Sequence, residues 1–151
     1  MKVPNFTLFS HEKNEVSLSD FKGQHTLINF FPQAFTSVCT DQLCNMRDNL
    51  NNYKKLGVNV IGISVDSPFT LDAFAKSENY NFPLLSDFNK NTTRAYDVYM
   101  EDFAFGMKGV SKRAVILINK DGEEVYREVT ASPGDAPNFD KLAAAVAQLS
   151  Q

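Results

Sequence analysis

The eight residues Pro32-Gln33-Ala34-Phe35-Thr36-Ser37-Val38-Cys39 hold a cysteine where its thiol can ionise. They lie between a short apolar run, Thr26-Leu27-Ile28-Asn29-Phe30-Phe31, and a helical pattern that begins about where Cys39 stands. A helix start offers free backbone N–H groups and the positive end of the helix dipole. Both favour thiolate over thiol, and helix N-termini can pull a cysteine pKa well below its free value of about 8.5. The thiolate is the nucleophile. Thr36, three residues upstream, can set a hydroxyl beside the sulfur. Pro32 ends the apolar run, fixes the start of the loop and shields it from water.

The surrounding elements must hold that loop at the end of a sheet. The opening alternation, Phe6-Thr7-Leu8-Phe9 and then Val16-Ser17-Leu18, reads as a hairpin, followed by a turn at Lys22-Gly23. Residues 26–31 read as a buried central strand, in which Asn29 needs a hydrogen-bond partner. Leu43, Met46, Leu50, Tyr53 and Leu56 recur at helical steps and predict one helix over 40–56, stopped by Gly57. Residues 58–65 form a second buried strand, so the unit implies parallel strands and a right-handed crossover. Ser67-Pro68 opens another helix that carries Leu71 and Phe74 inward. Phe82-Pro83-Leu84-Leu85 reads as a short edge-like strand, and residues 91–98 as a short helix. Residues 115–118 and 124–129 flank Lys120-Asp121-Gly122 as a hairpin, and Phe139 to Leu149 is an Ala-rich helix. The order ββαβαβαββα predicts one three-layer α/β domain over residues 1–151: a thioredoxin-like fold, with a central mixed β-sheet flanked by helices and an N-terminal hairpin extension. The strand-to-helix loop then falls at the carboxyl end of a strand, where open α/β sheets place ligands.

Composition narrows the function. The 151 residues are 43% hydrophobic and 22% charged, with a net charge of −3, as expected of a globular chain. Without a basic run, nucleic acid and anionic membranes are poor partners, and no apolar run approaches the roughly 20 residues of a membrane span. The start shows no secretory signal, so a cytoplasmic setting is expected. Two cysteines are too few for a disulfide scaffold or a four-cysteine zinc site, which points to catalytic use of cysteine. His11 and His25 have no metal-site spacing and are read as structural.

Pro-x-x-x-Thr-x-x-Cys, as Pro32, Thr36 and Cys39, resembles the active-site motif of the peroxiredoxins, thiol peroxidases of the AhpC/TSA superfamily. Phe30-Phe31-Pro32-x-Ala34-Phe35-Thr36 looks like the alkyl hydroperoxide reductase E branch. Cys39-Thr40-Asp41-Gln42-Leu43-Cys44 looks like the Q-type (bacterioferritin-comigratory) branch, and residues 112–119 are similar to the strand carrying the family's arginine, here Arg113. The resemblance implies that Cys39 reduces hydrogen peroxide and organic hydroperoxides and becomes sulfenic acid. Backbone N–H groups, Thr36 and Arg113 would stabilise charge on the transferring oxygens. It implies Cys44 as the resolving cysteine, a thioredoxin-like or glutaredoxin-like reductant, no metal or organic cofactor, and a homodimer among the partners. Phe35, Val38 and Gln42 are the expected substrate-side residues. Where these branches commonly carry glutamate, position 42 is glutamine, whose oxygen can still accept from Arg113 but without charge assistance.

Geometry adds a condition. Five residues apart on an intact helix, two Cα atoms lie about 8.6 Å apart, and a disulfide needs less than about 7 Å. A Cys39–Cys44 bond therefore requires the helix to unwind in each turnover, and the reduced protein holds both as free thiols. Other readings stay open. Cys44 falls near the helix's apolar side and can be a core residue. Arg47 and Arg94 read as solvated. Phe103, Phe105 and Met107 are core packing, a wall of the peroxide pocket, or an exposed dimer patch. A one-cysteine peroxidase using an external thiol, a thiol–disulfide oxidoreductase and a non-catalytic binding module are the competing functions. The second would want Cys-x-x-Cys, and the last predicts no dependence on Cys39.

Overall fold

A computed structural model describes residues 2–149, without the side chains of residues 37–40. Seven strands build one sheet: β1 (Thr7–Ser10), β2 (Glu15–Ser17), β3 (His25–Phe30), β4 (Val58–Ser64), β5 (Leu84–Ser86), β8 (Ala114–Ile118) and β9 (Glu124–Val129). Their spatial order is β2-β1-β5-β4-β3-β8-β9. β3, β4 and β5 run parallel, while β8 pairs antiparallel with β3 on its other side. A separate two-stranded ribbon joins β6 (Tyr99–Asp102) to β7 (Lys108–Ser111). The helices are α1 (Ser37–Asp48), α2 (Leu50–Lys55), α3 (Pro68–Glu78), α4 (Asn91–Ala95) and α5 (Phe139–Gln148).

Alternation along the central strands sorts side chains between two cores. Leu27 and Phe31 of the β3 segment, Val58 and Val60 of β4, and Val115 and Leu117 of β8 share one cluster with Leu43, Met46, Phe74 and Leu142 from the helices. Ile28, Phe30, Ile61, Ile63 and Ile116 face the opposite side, beneath Phe6, Tyr96 and Val98. Each such apolar side chain contributes about 1.5–3 kcal/mol on burial. A sheet covered on both faces reads as continuous apolar runs, which is why β3, β4 and β8 were legible.

The mixed sheet, flanking helices and N-terminal hairpin match the expected fold class. Several boundaries do not. Three strands precede the first helix, the hairpin pair and β3, as the separate segments read, although the order ββα counts one fewer. The single helix over 40–56 is two: Asn49 departs from helical geometry (φ −106°, ψ 10°) and its side-chain amide donates to the Asn45 carbonyl at 2.8 Å. The periodicity ran through the break because Leu50 and Tyr53 still face the core, whereas Leu56 is exposed. β5 is interior rather than edge-like, because β1 pairs with it through Phe9–Ser86 and Ser10–Leu85. The β6–β7 ribbon lies where the sequence pattern predicts no strand.

Local chemistry at other junctions is as expected. Ser67 accepts from the Thr70 N–H as the cap of α3, with Pro68 at the first helical position. His11 and His25 each accept a backbone N–H at Nδ1, from Leu84 and Lys120, which ties loops to strands. Arg94 is exposed and stacks over the Tyr99 ring at 3.8 Å. Arg47 is not a solvated side chain: it is half-buried, its Nε pairs with Asp48 at 3.0 Å, and its Nη1 donates to the Glu78 carbonyl.

Candidate active site

β3 delivers the chain to buried Pro32, after which the loop turns through Phe35 in the left-handed region (φ 68°). Thr36 is the N-cap residue of α1 and Cys39 lies in its first turn. The side chains of Val38 and Cys39 lie outside the described residues. The Thr36 hydroxyl donates to the Gln33 carbonyl at 3.4 Å. Phe35 is 55% exposed and its ring leans on Phe74, centroids 4.9 Å apart.

Arg113 stands across from this helix start. It precedes β8 and is 2% exposed, one of the largest fully buried side chains among the described residues. Its Nε donates to the Pro133 carbonyl at 2.9 Å and its Nη1 to Gln42 Oε1 at 3.2 Å, which orients the guanidinium. Gln42 in turn donates to Asn29 Oδ1 at 3.2 Å and to the Ala114 carbonyl at 3.4 Å, and Asn29 donates to the Ile61 carbonyl at 3.3 Å. Asn29, the odd polar residue of an apolar strand, is thus the base of a buried relay from β4 through β3 and α1 to Arg113. With both ends of its amide satisfied, Gln42 is fully buried behind Arg113 and not on the cavity wall.

Arg113 and Thr36 line one cavity of about 450 Å³. Met100, Asp102, Phe103 and Ala104 from the β6–β7 ribbon and Ser132–Gly134 complete its walls. Phe103 is therefore a pocket wall, as one of its readings held, while Phe105 is 99% exposed. A guanidinium at a mostly apolar cavity beside a helix N-terminus is suited to bind and polarise a small oxygen-rich molecule.

Asp66, just past β4, was not singled out from the sequence, yet it holds the loop. Its Oδ2 accepts from the Ala34 N–H at 2.7 Å and from the Ser64 hydroxyl at 2.7 Å. Burial pushes its carboxyl above the usual range, with the two hydrogen bonds opposing. A carboxyl raised in the folded state binds more protons folded than unfolded, so its contribution to stability falls as pH rises through the raised value. Relative to Asp66→Asn, the wild type should therefore gain stability as pH is lowered from neutrality toward about 4. Urea unfolding of both proteins across that range checks this, and a constant difference would count against it.

Cys44 is a free thiol, half-buried at the margin of the helix-side core. Its Sγ donates to Glu78 Oε2 at 3.8 Å and lies 3.8 Å from the Tyr80 hydroxyl. Among the described residues, no group of three His, Cys, Asp or Glu side chains gathers as a metal site, and no helix is long and apolar enough to cross a membrane.

A thioredoxin-like sheet with a cysteine in the first turn of the helix after β3, and a buried arginine lining a cavity with that helix's N-cap residue, defines the class of thiol-based oxidoreductases. The AhpC/TSA family profile matches residues 1–127, and the chain belongs to that family, the peroxiredoxins. It is similar to Peroxiredoxin Bcp of Escherichia coli strain K12, with 41% identity over 134 residues, 86% of this chain and 85% of that protein. A putative peroxiredoxin of Mycobacterium tuberculosis strain H37Rv is 39% identical over 129 residues, 84% of this chain and 82% of that protein. Among solved structures, Peroxiredoxin Q of Xanthomonas campestris superposes with a TM-score of 0.83 at 26% identity, over 97% of this chain and 92% of that one. Peroxidoxin BcpB of M. tuberculosis shares the fold, with a TM-score of 0.87 at 23% identity over 100% and 97% of the two chains. The chain is a thiol peroxidase.

Proposed function

We propose that the chain, as one domain over residues 1–151, reduces hydrogen peroxide and organic hydroperoxides through Cys39. The observation that carries this is the cavity shared by Thr36 and the buried Arg113 at the N-terminus of the helix bearing Cys39. The Cys39 thiolate attacks the terminal peroxide oxygen. The S–O bond forms as O–O breaks, leaving sulfenic acid and an alkoxide or hydroxide that takes a proton. Arg113 and the first-turn N–H groups stabilise the charge that develops on both oxygens. Thr36 orients the peroxide, Pro32 keeps water out, and Phe35 and Val38 flank the approach. Gln42 acts on the substrate side through Arg113.

The Cys44 thiol then displaces water from the sulfenic acid to give an intramolecular disulfide. A thioredoxin-like or glutaredoxin-like dithiol reopens it by exchange. No metal or organic cofactor takes part, and the setting is the reducing cytoplasm.

Treating the reduced protein with one equivalent of hydrogen peroxide, then measuring free thiols and intact mass, tests the scheme. The expected product has lost both thiols and two hydrogens at monomer mass. Oxygen added at Cys39 with Cys44 still free would make it a one-cysteine peroxidase. A Cys39 no faster than free cysteine would sink the peroxidase reading of this site.

A further inference from the structure

The groups around Cys44 are more than packing needs. α3 ends at Glu78, and Asn79 caps it in the left-handed conformation (φ 54°, ψ 43°). That reversal brings Glu78 and Tyr80, on either side of the cap, to one sulfur. Cys44 Sγ–H points at Glu78 Oε2, and the Tyr80 hydroxyl lies equally close, both at 3.8 Å. Such distances suit sulfur, whose radius exceeds that of oxygen. Burial first, then Cys44 and Glu78, push the Tyr80 pKa above its ordinary value, so Tyr80 keeps its proton as a donor. Arg47, one turn beyond Cys44, donates to the Glu78 carbonyl and pairs with Asp48. Among the described residues, Cys44, Arg47 and Tyr80 are the titratable groups that meet Glu78, and Asp48 stands behind Arg47 as its ion-pair partner.

We propose that Glu78 is the general base that deprotonates Cys44 for the resolving step, with Tyr80 as donor to the resulting thiolate. This rests on the reading of Cys44 as the resolving cysteine. The thiol proton passes to the Glu78 carboxylate. The Cys44 thiolate attacks the sulfur of the Cys39 sulfenic acid, an S–S bond forms, and the S–O bond breaks. The departing hydroxide takes up a proton and leaves as water. The Cys39 sulfur is reduced and the Cys44 sulfur oxidised, so no further oxidant is needed.

The same contacts divide the helix. Gln42, Leu43 and Met46 are fully buried and Cys44 and Arg47 are tied to α3, whereas Asp41 is exposed. The turn that opens is therefore residues 37–41, which carries Cys39 toward an anchored Cys44 whose thiol already meets its base.

Rapid-quench mass spectrometry of Glu78→Gln, Glu78→Asp and wild type between pH 6 and 9 tests the proposal by separating sulfenic acid formation from disulfide closure. For Glu78→Gln we expect unchanged sulfenic acid formation and closure slowed about 100-fold at pH 7, the low end for loss of a general base. Closure should recover as pH rises past about 8.5, where a thiol ionises unaided, and Glu78→Asp should restore part of the rate at pH 7. Closure of Glu78→Gln at the wild-type rate overturns the proposal, and so does slowing by the same factor at every pH, which would make Glu78 only an anchor. Absence of a Cys39–Cys44 disulfide in the wild type would be failure of the underlying reading, visible before any variant is compared.

Discussion

Arg113→Met should lower kcat/KM for hydrogen peroxide by about 1,000-fold, the upper range for losing one preorganised charge-stabilising donor. The guanidinium is held on two sides, by Pro133 and Gln42, and is 2% exposed, so it does not reorganise as charge develops on the peroxide oxygens. Methionine keeps the packing of the stem as far as Nε, but removes the charge and every donor. Gln42 Oε1 loses a buried partner at a cost of about 1–3 kcal/mol. Arg113→Lys should recover little activity, since an ammonium cannot reproduce a planar fork bound at both Nε and Nη1. Stopped-flow peroxide kinetics, with thermal unfolding to confirm the fold, check this. Activity within tenfold of wild type would remove Arg113 from the chemistry.

Gly62→Val should destabilise the protein by about 3 kcal/mol, at the top of the usual range for overpacking a core. That lowers Tm by roughly 6–12 °C for a domain of this size. Gly62 lies in β4, paired with Asn29 of β3, on the face covered by α1. A Cβ there would lie 2.8 Å from Leu84 Cδ2, 3.3 Å from Phe31 Cε1 and 3.7 Å from Leu43 Cδ2. β4 cannot retreat, because β3 and β5 bond it on both sides. Relief must come from Leu84 and Phe31, and Phe31 directly precedes Pro32 of the active-site loop, so the variant should also lose peroxidase activity. Calorimetry and initial rates check both, and a Tm within about 2 °C of wild type would show that Leu84 gives way freely.

Asn29 and Arg113 show how far the residues alone reach. Asn29 was visible as a polar intrusion needing a partner, and Arg113 as the start of an apolar strand. Their connection through Gln42 spans positions 29, 42 and 113, which only the packing of α1 on β3 and β8 brings together. Glycine 62 read as one more residue of a buried strand, because the close approach of Leu84 is a long-range contact. Pro133 and Asp66 carried no local signal: one lends a backbone carbonyl, the other a carboxylate to a loop 32 positions away. The β6–β7 ribbon escaped because its strands are four residues each and show no alternation: β6 goes from half-buried to exposed, and β7 buries three consecutive positions.

By itself the sequence determined the alternating strand and helix order, the two-sided burial of the central strands, and a cysteine at a helix start. These follow from periodicity and capping, which act over a few residues. Tertiary structure decided the sheet order, the interior position of β5, the break at Asn49, and the partners of Arg113 and Cys44. Those depend on which distant segments share a face, and hydrogen-bond geometry is set only once the cores of both faces are packed.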